Sequence, residues 1–419
     1  MVMDYIIEPE KKIPVVAETD LLVCGGGVAG VAAAVCAARM GAKVMLLEKY
    51  GFLGGLVTGS LVITTPPLNN GINREIGERL KRKGVYVPCR DSGAEVEWLN
   101  MHSIDPEVVK YELTHMLQEE RVDFRFHTYI TGVVWEGQRI RGIITESKAG
   151  RQAVLSRFVV DATGDADIAF HAGVPYRLVK KPMTMMFNMV GVDTKRALAH
   201  IGGNWGRLRK VVREGLEGGE INFELGMEMD FGAPGVHAEN LVYEGEINVW
   251  SGNLKGLDGT DPVDLTRAEV ITREHAMKLS SFLIQKVPGF EKARIEYTST
   301  QVGVRATRQI VGQATPSADS VQDKNRKDAV AKPYAHSEMR IPFGAILPQR
   351  LENLLMAGRC LSAEDEILGQ LRLIPVCSAT GQAAGIVAAL ALQEGKAPAD
   401  LNITQVQKAL KSQGMELGI

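Results

Sequence analysis

The sequence predicts a doubly wound α/β fold that carries an inserted α+β domain. Three observations predict it: a Gly25-x-Gly27-x-x-Gly30 turn between an apolar strand and an Ala-rich helix, a second small-residue turn at 161–165, and an Ala/Gly-rich helix near the far C-terminus. The 419 residues, 45% hydrophobic and 23% charged, can bury one large core or two moderate ones in contact.

Residues 20–24 read as a short strand, 30–40 as a helix stopping before Gly41, and 43–47 as a second buried strand. That is the β-turn-α-β unit of ~30 residues with which dinucleotide-binding domains open. Asp105 can cap a further helix and Pro106 fits its first position; Ile104 can staple against Val109, and the helix runs to about residue 120. Stretches 124–135 and 139–145 read as strands joined in a hairpin at Gly137-Gln138, and 158–161 as another strand. From Val174 the texture changes to strands, loops and one long helix, with a capping box at Thr266 and Glu269 and a stop at Pro288-Gly289. The polar run 315–332 reads as an exposed loop. A strand at 354–357 and the Ala/Gly-rich helix ending near Gly395 return to the first fold. The expected organisation is a nucleotide-binding domain from 1–173 and 341–419 around a substrate domain at 174–340.

In the glycine turn, Gly25 serves the tight bend, Gly27 the close approach of pyrophosphate, and Gly30 close helix packing, with phosphate at the helix start beside Val28 and Ala29. Glu48, after the second strand, stands where a carboxylate accepts from ribose hydroxyls, and Lys49 adds a nearby positive charge. Three further features select FAD over NAD. Gly54, Gly55 and Leu56 end a Gly-paired loop that allows backbone approach to an extended cofactor. Ala162, Thr163 and Gly164 make a second turn toward the dinucleotide. Gly358-Arg359 precedes the 381–385 helix, whose N-terminal amides can face a flavin edge.

A net charge of -2 over 48 basic and 50 acidic side chains disfavours nucleic acid and anionic membranes as partners. The N-terminus lacks the zones of a signal peptide, so a cytoplasmic location is expected, and no apolar run approaches the ~20 residues of a membrane span. Five scattered cysteines offer no CxxC pair or Cys/His spacing, so no metal, disulfide framework or dithiol centre is expected; covalent flavin attachment at Cys24 or Cys360 competes with ordinary burial. Met183, Met185, Met186 and Met189 around Phe187 read as core, and Lys81-Arg82-Lys83 as the basic last turn of a helix.

These motifs in this order resemble the FAD-dependent oxidoreductases related to fumarate reductase and succinate dehydrogenase flavoproteins, and within them a bacterial branch with a C-terminal AGRC signature. The matching stretches are CGGGVAG at 24–30, YGFLGG at 50–55, VVDATGDAD at 159–167, GVRATRQIVG at 303–312 and NLLMAGRCLSAEDEILGQLRLIPVCSATGQAAG at 353–385. The resemblance implies a glutathione-reductase-like FAD domain, with adenine held by main chain near Ile130 and Ile374 close to the isoalloxazine. The chain departs from it at Ser362-Ala363-Glu364-Asp365, where relatives often carry Ser-Ala-Thr-His.

Flavin enzymes leave hydride transfer to N5, so the protein must supply proton transfer and orientation. Arg305 and Arg308 share a face if their segment is helical and can clamp a carboxylate or phosphate; pairing with structural acids is the alternative. His336, with Arg340 beyond it, falls at the domain junction, Asp365 beside Glu366 is a candidate base, and Arg372 can steady charge on reduced flavin. The expected function is oxidation of an alcohol or amine carbon of a small polar or anionic molecule between the domains. A fumarate-reductase-like ene-reductase is an alternative, disfavoured by only 8 histidines, and a non-catalytic or regulatory flavoprotein is another. No second GxGxxG unit is evident, so electrons are expected to come from, or go to, a substrate, oxygen, quinone or a separate carrier.

Overall fold

The computed structural model describes residues 6–93, 99–222, 224–230 and 234–419. Residues 1–5, part of the stretch weighed above for a targeting signal, lie outside the described residues. Strand β1 (Val15–Cys24), helix α1 (Val28–Arg39) and strand β2 (Val44–Leu47) form the opening unit. β1 begins before its apolar run because backbone pairing, Val15 with Ala153 and Ala17 with Val154, carries its half-exposed start. Short helix α2 (Leu56–Gly59) and helix α3 (Ile72–Arg82) follow, the latter closing on the basic turn read from the sequence. Asp105 caps helix α4 (Pro106–Glu119), accepting from the Glu107 and Val108 amides at 2.8 and 3.0 Å.

The stretch read as one strand over 124–135 is two, β3 (Asp123–Arg125) and β4 (Tyr129–Glu136), because His127 at φ 53° turns the chain between them. Gly137 turns β4 into β5 (Arg139–Ser147), the expected hairpin, and β6 (Gly150–Asp161) follows. A second sheet contains β7 (Met186–Val190), β8 (Val236–Asn240), β9 (Ile247–Ser251) and, after helix α5 (Pro262–Lys286), β10 (Arg294–Thr298). The cap of α5 is Asp261, which accepts from the Val263 amide at 2.8 Å. Thr266 lies one turn inside and bonds back to the Pro262 carbonyl, so the expected capping box is absent. Helices Thr194–Ile201 and Leu208–Glu217 also belong to this region, where only one helix was expected.

The polar run 315–332 is not a simple exposed loop. Ser317 caps a short helix, Ala318–Gln322, and buried Ala329–Ala331 pairs with Ile341–Pro342. Its small apolar residues are few but contiguous, enough for three positions of buried strand.

The chain then supplies strand β11 (Leu354–Met356) and helix α6 (Ile374–Glu394), which ends on Gly395 in the left-handed conformation. The main sheet runs β3-β2-β1-β6-β5-β4, with β11 also on β6. β3, β2, β1, β6 and β11 are parallel; β5 and β4 fold back antiparallel. β6 is long enough to hold β5 along its first half and β11 along its last residues on the same edge.

One hydrophobic core lies around this sheet with α1 and α6, and a second lies between the other sheet and α5. The methionines at 183, 185 and 189 and Phe187 all enter the second core. By length and composition α6 could cross a membrane, which the sequence reading did not anticipate. Its most apolar stretch is, however, 94% buried inside the protein.

Candidate active site

The three motif glycines are glycine for two different reasons. Gly25 holds φ +105°, and a Cβ there would stand 2.4 Å from the Ala162 oxygen; at Gly30 it would stand 1.8 Å from the Gly25 oxygen. Gly27 has φ −67°, and a Cβ there would meet nothing nearer than Gly55 Cα at 3.8 Å. The protein itself tolerates a side chain at 27; a ligand against the backbone would not. Gly27 also caps α1 without any side-chain bond, leaving the amides of Val28, Ala29 and Gly30 at a positive helix end. Pyrophosphate fits that place.

The 50–56 loop lies directly on the turn. Gly54 bridges Gly27 and donates to the Gly26 oxygen at 2.9 Å, and Gly55, at φ 57°, caps α2 as Leu56 begins it. Glu48, 6% exposed, accepts from the Gly26 and Tyr50 amides at 2.6 and 2.8 Å. Burial pushes its carboxyl up despite those bonds. A carboxylate has about four acceptor positions, so two remain for ribose hydroxyls. The Lys49 ammonium sits over the Tyr50 ring, 5.1 Å from its centroid. The Thr128 amide bonds the Glu48 carbonyl, bringing the start of β4, with Ile130, alongside.

On the other side of β1, two turns clasp each other. Asp161 is fully buried and accepts from the Thr163 amide, the Thr163 hydroxyl and the Ala169 amide at 3.1, 2.7 and 3.0 Å, holding the Ala162-Thr163-Gly164 turn. Arg359 reaches across, donating to the Val304 oxygen at 3.0 Å and pairing with Asp165 at 3.3 Å. A Cβ on Gly164 would come within 2.6 Å of that guanidinium. Gly358, at φ +85°, lies against Ala29 of α1.

Arg305, Arg359 and Arg372 gather at the junction of the two cores. Arg305 is 5% exposed and donates to the Pro182 carbonyl at 3.1 Å; burial and the neighbouring Arg372 push its pKa down to about 9. Burial and then Arg359 push Arg372 down to about 10. Arg372 directly precedes the start of α6, where Leu373 is the cap and Ile374 the first helical residue. Three guanidiniums beside a helix N-terminus, one of them paired with Asp165, are chemistry that suits an anion.

Other candidates lie elsewhere. The segment holding Arg305 and Arg308 is extended, pairing with Met183–Thr184 and Tyr176–Leu178, so the two do not share a helical face. Arg308 lies 4.2 Å over the Phe170 ring and pairs with Asp167 at 2.8 Å, work for a structural arginine. Asp365, about half exposed, pairs with Arg177 and Lys181 at 2.6 and 3.6 Å, and burial notwithstanding these cations hold its carboxyl low, the wrong direction for a base. His336 is exposed on a turn, and Arg340 binds the carbonyls of Leu417 and Gly418. Gly381 and Gly385 are not at the helix start. A Cβ at either would stand 2.0 or 2.1 Å from the Ala29 or Ala33 oxygen, so they serve contact with α1. Burial drives the Cys24 and Cys360 thiols far up, away from the reactive thiolate.

The sequence reading missed one face of the second sheet. His237, Glu239, Trp250, Asn248, Met186 and Asn188 share it and are all buried, opposite the face that fills the second core. Trp250 and Met186 pack on Leu61, which follows the 50–59 segment lying on the glycine turn. The only sign in the sequence is a strand with polar residues at alternate positions, His237-Ala238-Glu239, which a solvated strand shares.

A family model described as FAD dependent oxidoreductase matches residues 20–336 and 332–410. No curated protein matches the sequence. Among solved structures, a geranylgeranyl bacteriochlorophyll reductase-like protein from Thermoplasma acidophilum aligns with TM-score 0.56 and 16% identity over 95% of this chain and 84% of its own. The p-nitrophenol 4-monooxygenase of Pseudomonas putida DLL-E4 aligns with TM-score 0.51 and 14% identity, over 95% and 85%. A flavin-dependent brominase aligns with TM-score 0.51 and 13% identity, over 94% and 83%. At such identities they share the fold.

Proposed function

Because this chain belongs to the FAD dependent oxidoreductase family, we propose that it oxidises an alcohol or amine carbon of a small anionic molecule in the cleft between its two sheets. The observation that carries the anionic substrate is Arg305: a buried guanidinium bonded to a neutral carbonyl, with a second arginine close enough to depress its pKa. A substrate carboxylate would offset that charge and be oriented by it. Bound FAD would supply the two-electron redox chemistry, held by the glycine turn, Glu48 and the Gly54–Gly55 loop. The protein's part is to bind the anion at Arg305 and to close water out with the Leu61, Met186 and Trp250 cluster. A glutathione-reductase-like arrangement and kinship with fumarate reductase flavoproteins belong to the same proposal and rest on the motif stretches at 24–30, 50–55, 159–167, 303–312 and 353–385.

The test is anaerobic bleaching of the yellow protein by a panel of alcohols, amines, hydroxy acids and amino acids, with enoates offered to the reduced protein. Carboxylate-bearing donors are expected to bleach it, and Arg305→Met to raise their KM by about 10- to 100-fold, as loss of a charged hydrogen bond does. Bleaching only by neutral donors would sink the anionic substrate; reoxidation by enoates with no donor bleaching would favour the ene-reductase.

A further inference from the structure

His237 and Glu239 form a buried pair that the proposed function leaves unused. His237 is 0% and Glu239 1% exposed; His237 Nε2 meets Glu239 Oε1 at 2.8 Å, and Ser92 Oγ donates to Glu239 Oε2 at 2.6 Å. A carboxylate only accepts, so Nε2 carries a proton, and in the neutral imidazole Nδ1 then keeps its lone pair. Nδ1 is itself buried and, among the described residues, has no hydrogen-bond partner. Buried acceptors are rarely left so, and a hydrogen-bond donor on a bound molecule is one partner that would meet this one.

The position of the ring says from which side. His237 stands directly across from Trp250 in the sheet register, with ring centroids 5.2 Å apart, and Trp250 packs on Leu61. The imidazole therefore belongs to the wall that faces the segment leading from the glycine turn, not to the apolar core on the sheet's other face. Glu239 fixes the tautomer and would stabilise an imidazolium, the arrangement that makes a histidine a base.

We propose that His237 is the proton acceptor of this enzyme, taking a proton through Nδ1 from an O–H or N–H of the bound substrate, with Glu239 as its positioning residue. The substrate O–H or N–H bond breaks, the Nδ1–H bond forms, and the positive charge gained by the ring is balanced by Glu239. This rests on the oxidation reading above, since it is that reaction which must release a proton.

The test uses the FAD-loaded protein. Anaerobic bleaching by the hydroxy-acid and amino-acid panel is expected to slow by about 100- to 10,000-fold in His237→Asn, the range for loss of a general base, with flavin content and KM close to native. Glu239→Gln, which keeps both hydrogen-bond partners, is expected to slow it about tenfold. Independently, nitrogen NMR of the unsubstituted protein labelled with 15N-histidine should show His237, assigned by its loss in His237→Asn, protonated at Nε2 and bare at Nδ1. A proton resting on Nδ1 overturns the proposal without any substrate. Bleaching at the native rate in His237→Asn overturns the base alone, whereas a panel that bleaches nothing overturns the oxidation reading and the base with it.

Discussion

Gly27 and Gly30 sit three positions apart in one motif, yet substitution should separate them. Alanine at 30 would collide with the Gly25 oxygen, 1.8 Å away, and is expected to cost several kcal/mol of stability whether or not cofactor is present. Alanine at 27 meets only Gly55 Cα at 3.8 Å. It should leave the melting temperature of the FAD-free protein within a degree or two while weakening FAD binding about 100-fold or more, checked by thermal scans and cofactor titration. Asp161 offers a second test at this scale. Burial, ahead of its own hydrogen bonds, raises its pKa from 3.8 to about 6, so the native state holds that proton more tightly than the unfolded chain. Its contribution favours folding below pH 3.8 and is lost as pH rises through about 6, a swing on the order of 3 kcal/mol. Denaturation of Asp161→Asn at pH 4 and 6.5 should show that slope removed; an unchanged slope would refute the assignment.

Helices α1 and α6 pack closely, backbone against backbone through Gly381 and Gly385. Gly381→Ala would place a methyl 2.0 Å from the Ala29 oxygen, so the helices must part. Because Ala29 belongs to the first turn of α1, the expected result is a lower melting temperature together with loss of bound flavin. Retained flavin at a lowered melting temperature would show that the phosphate turn does not depend on this contact. Elements set by neighbours in the chain were legible: the glycine turn, the Asp105 cap, the Gly137 hairpin and the Gly395 stop each depend on residues a few positions apart. Elements set by distant partners were not. Thr266 and Glu269 satisfy the capping pattern as well as Asp261 does, and only the register of α5 decides. Ala329–Ala331 becomes strand because Ile341–Pro342 returns beside it. The Arg305, Arg359 and Arg372 group and the His237, Glu239 and Ser92 group draw each member from a separate segment or from alternate strand positions, so no local spacing announces them.

At the scale of the whole molecule, the two cores are accompanied by a small cluster in which Leu61, two residues past the helix that follows the 50–55 loop, packs on Met186 and Trp250 of the second sheet. A cofactor bound to the native state stabilises it by mass action, about 2.7 kcal/mol at a free concentration 100 times Kd. Stripping FAD should therefore lower the melting temperature and re-addition restore it in a concentration-dependent way; a melting temperature indifferent to FAD would show that the native state does not bind it selectively.

The packing of α6 on α1 also has a temporal side. The residues that cover the Ala-rich face of α1 lie more than 330 positions downstream of it. At translation rates of 5–20 residues per second, α1 waits on the order of 20 to 70 seconds for its partner. Throughout that interval the nascent chain holds an Ala-rich helix without its main helical partner and the last residues of β6 without β11, so the native packing of α1 closes late in synthesis.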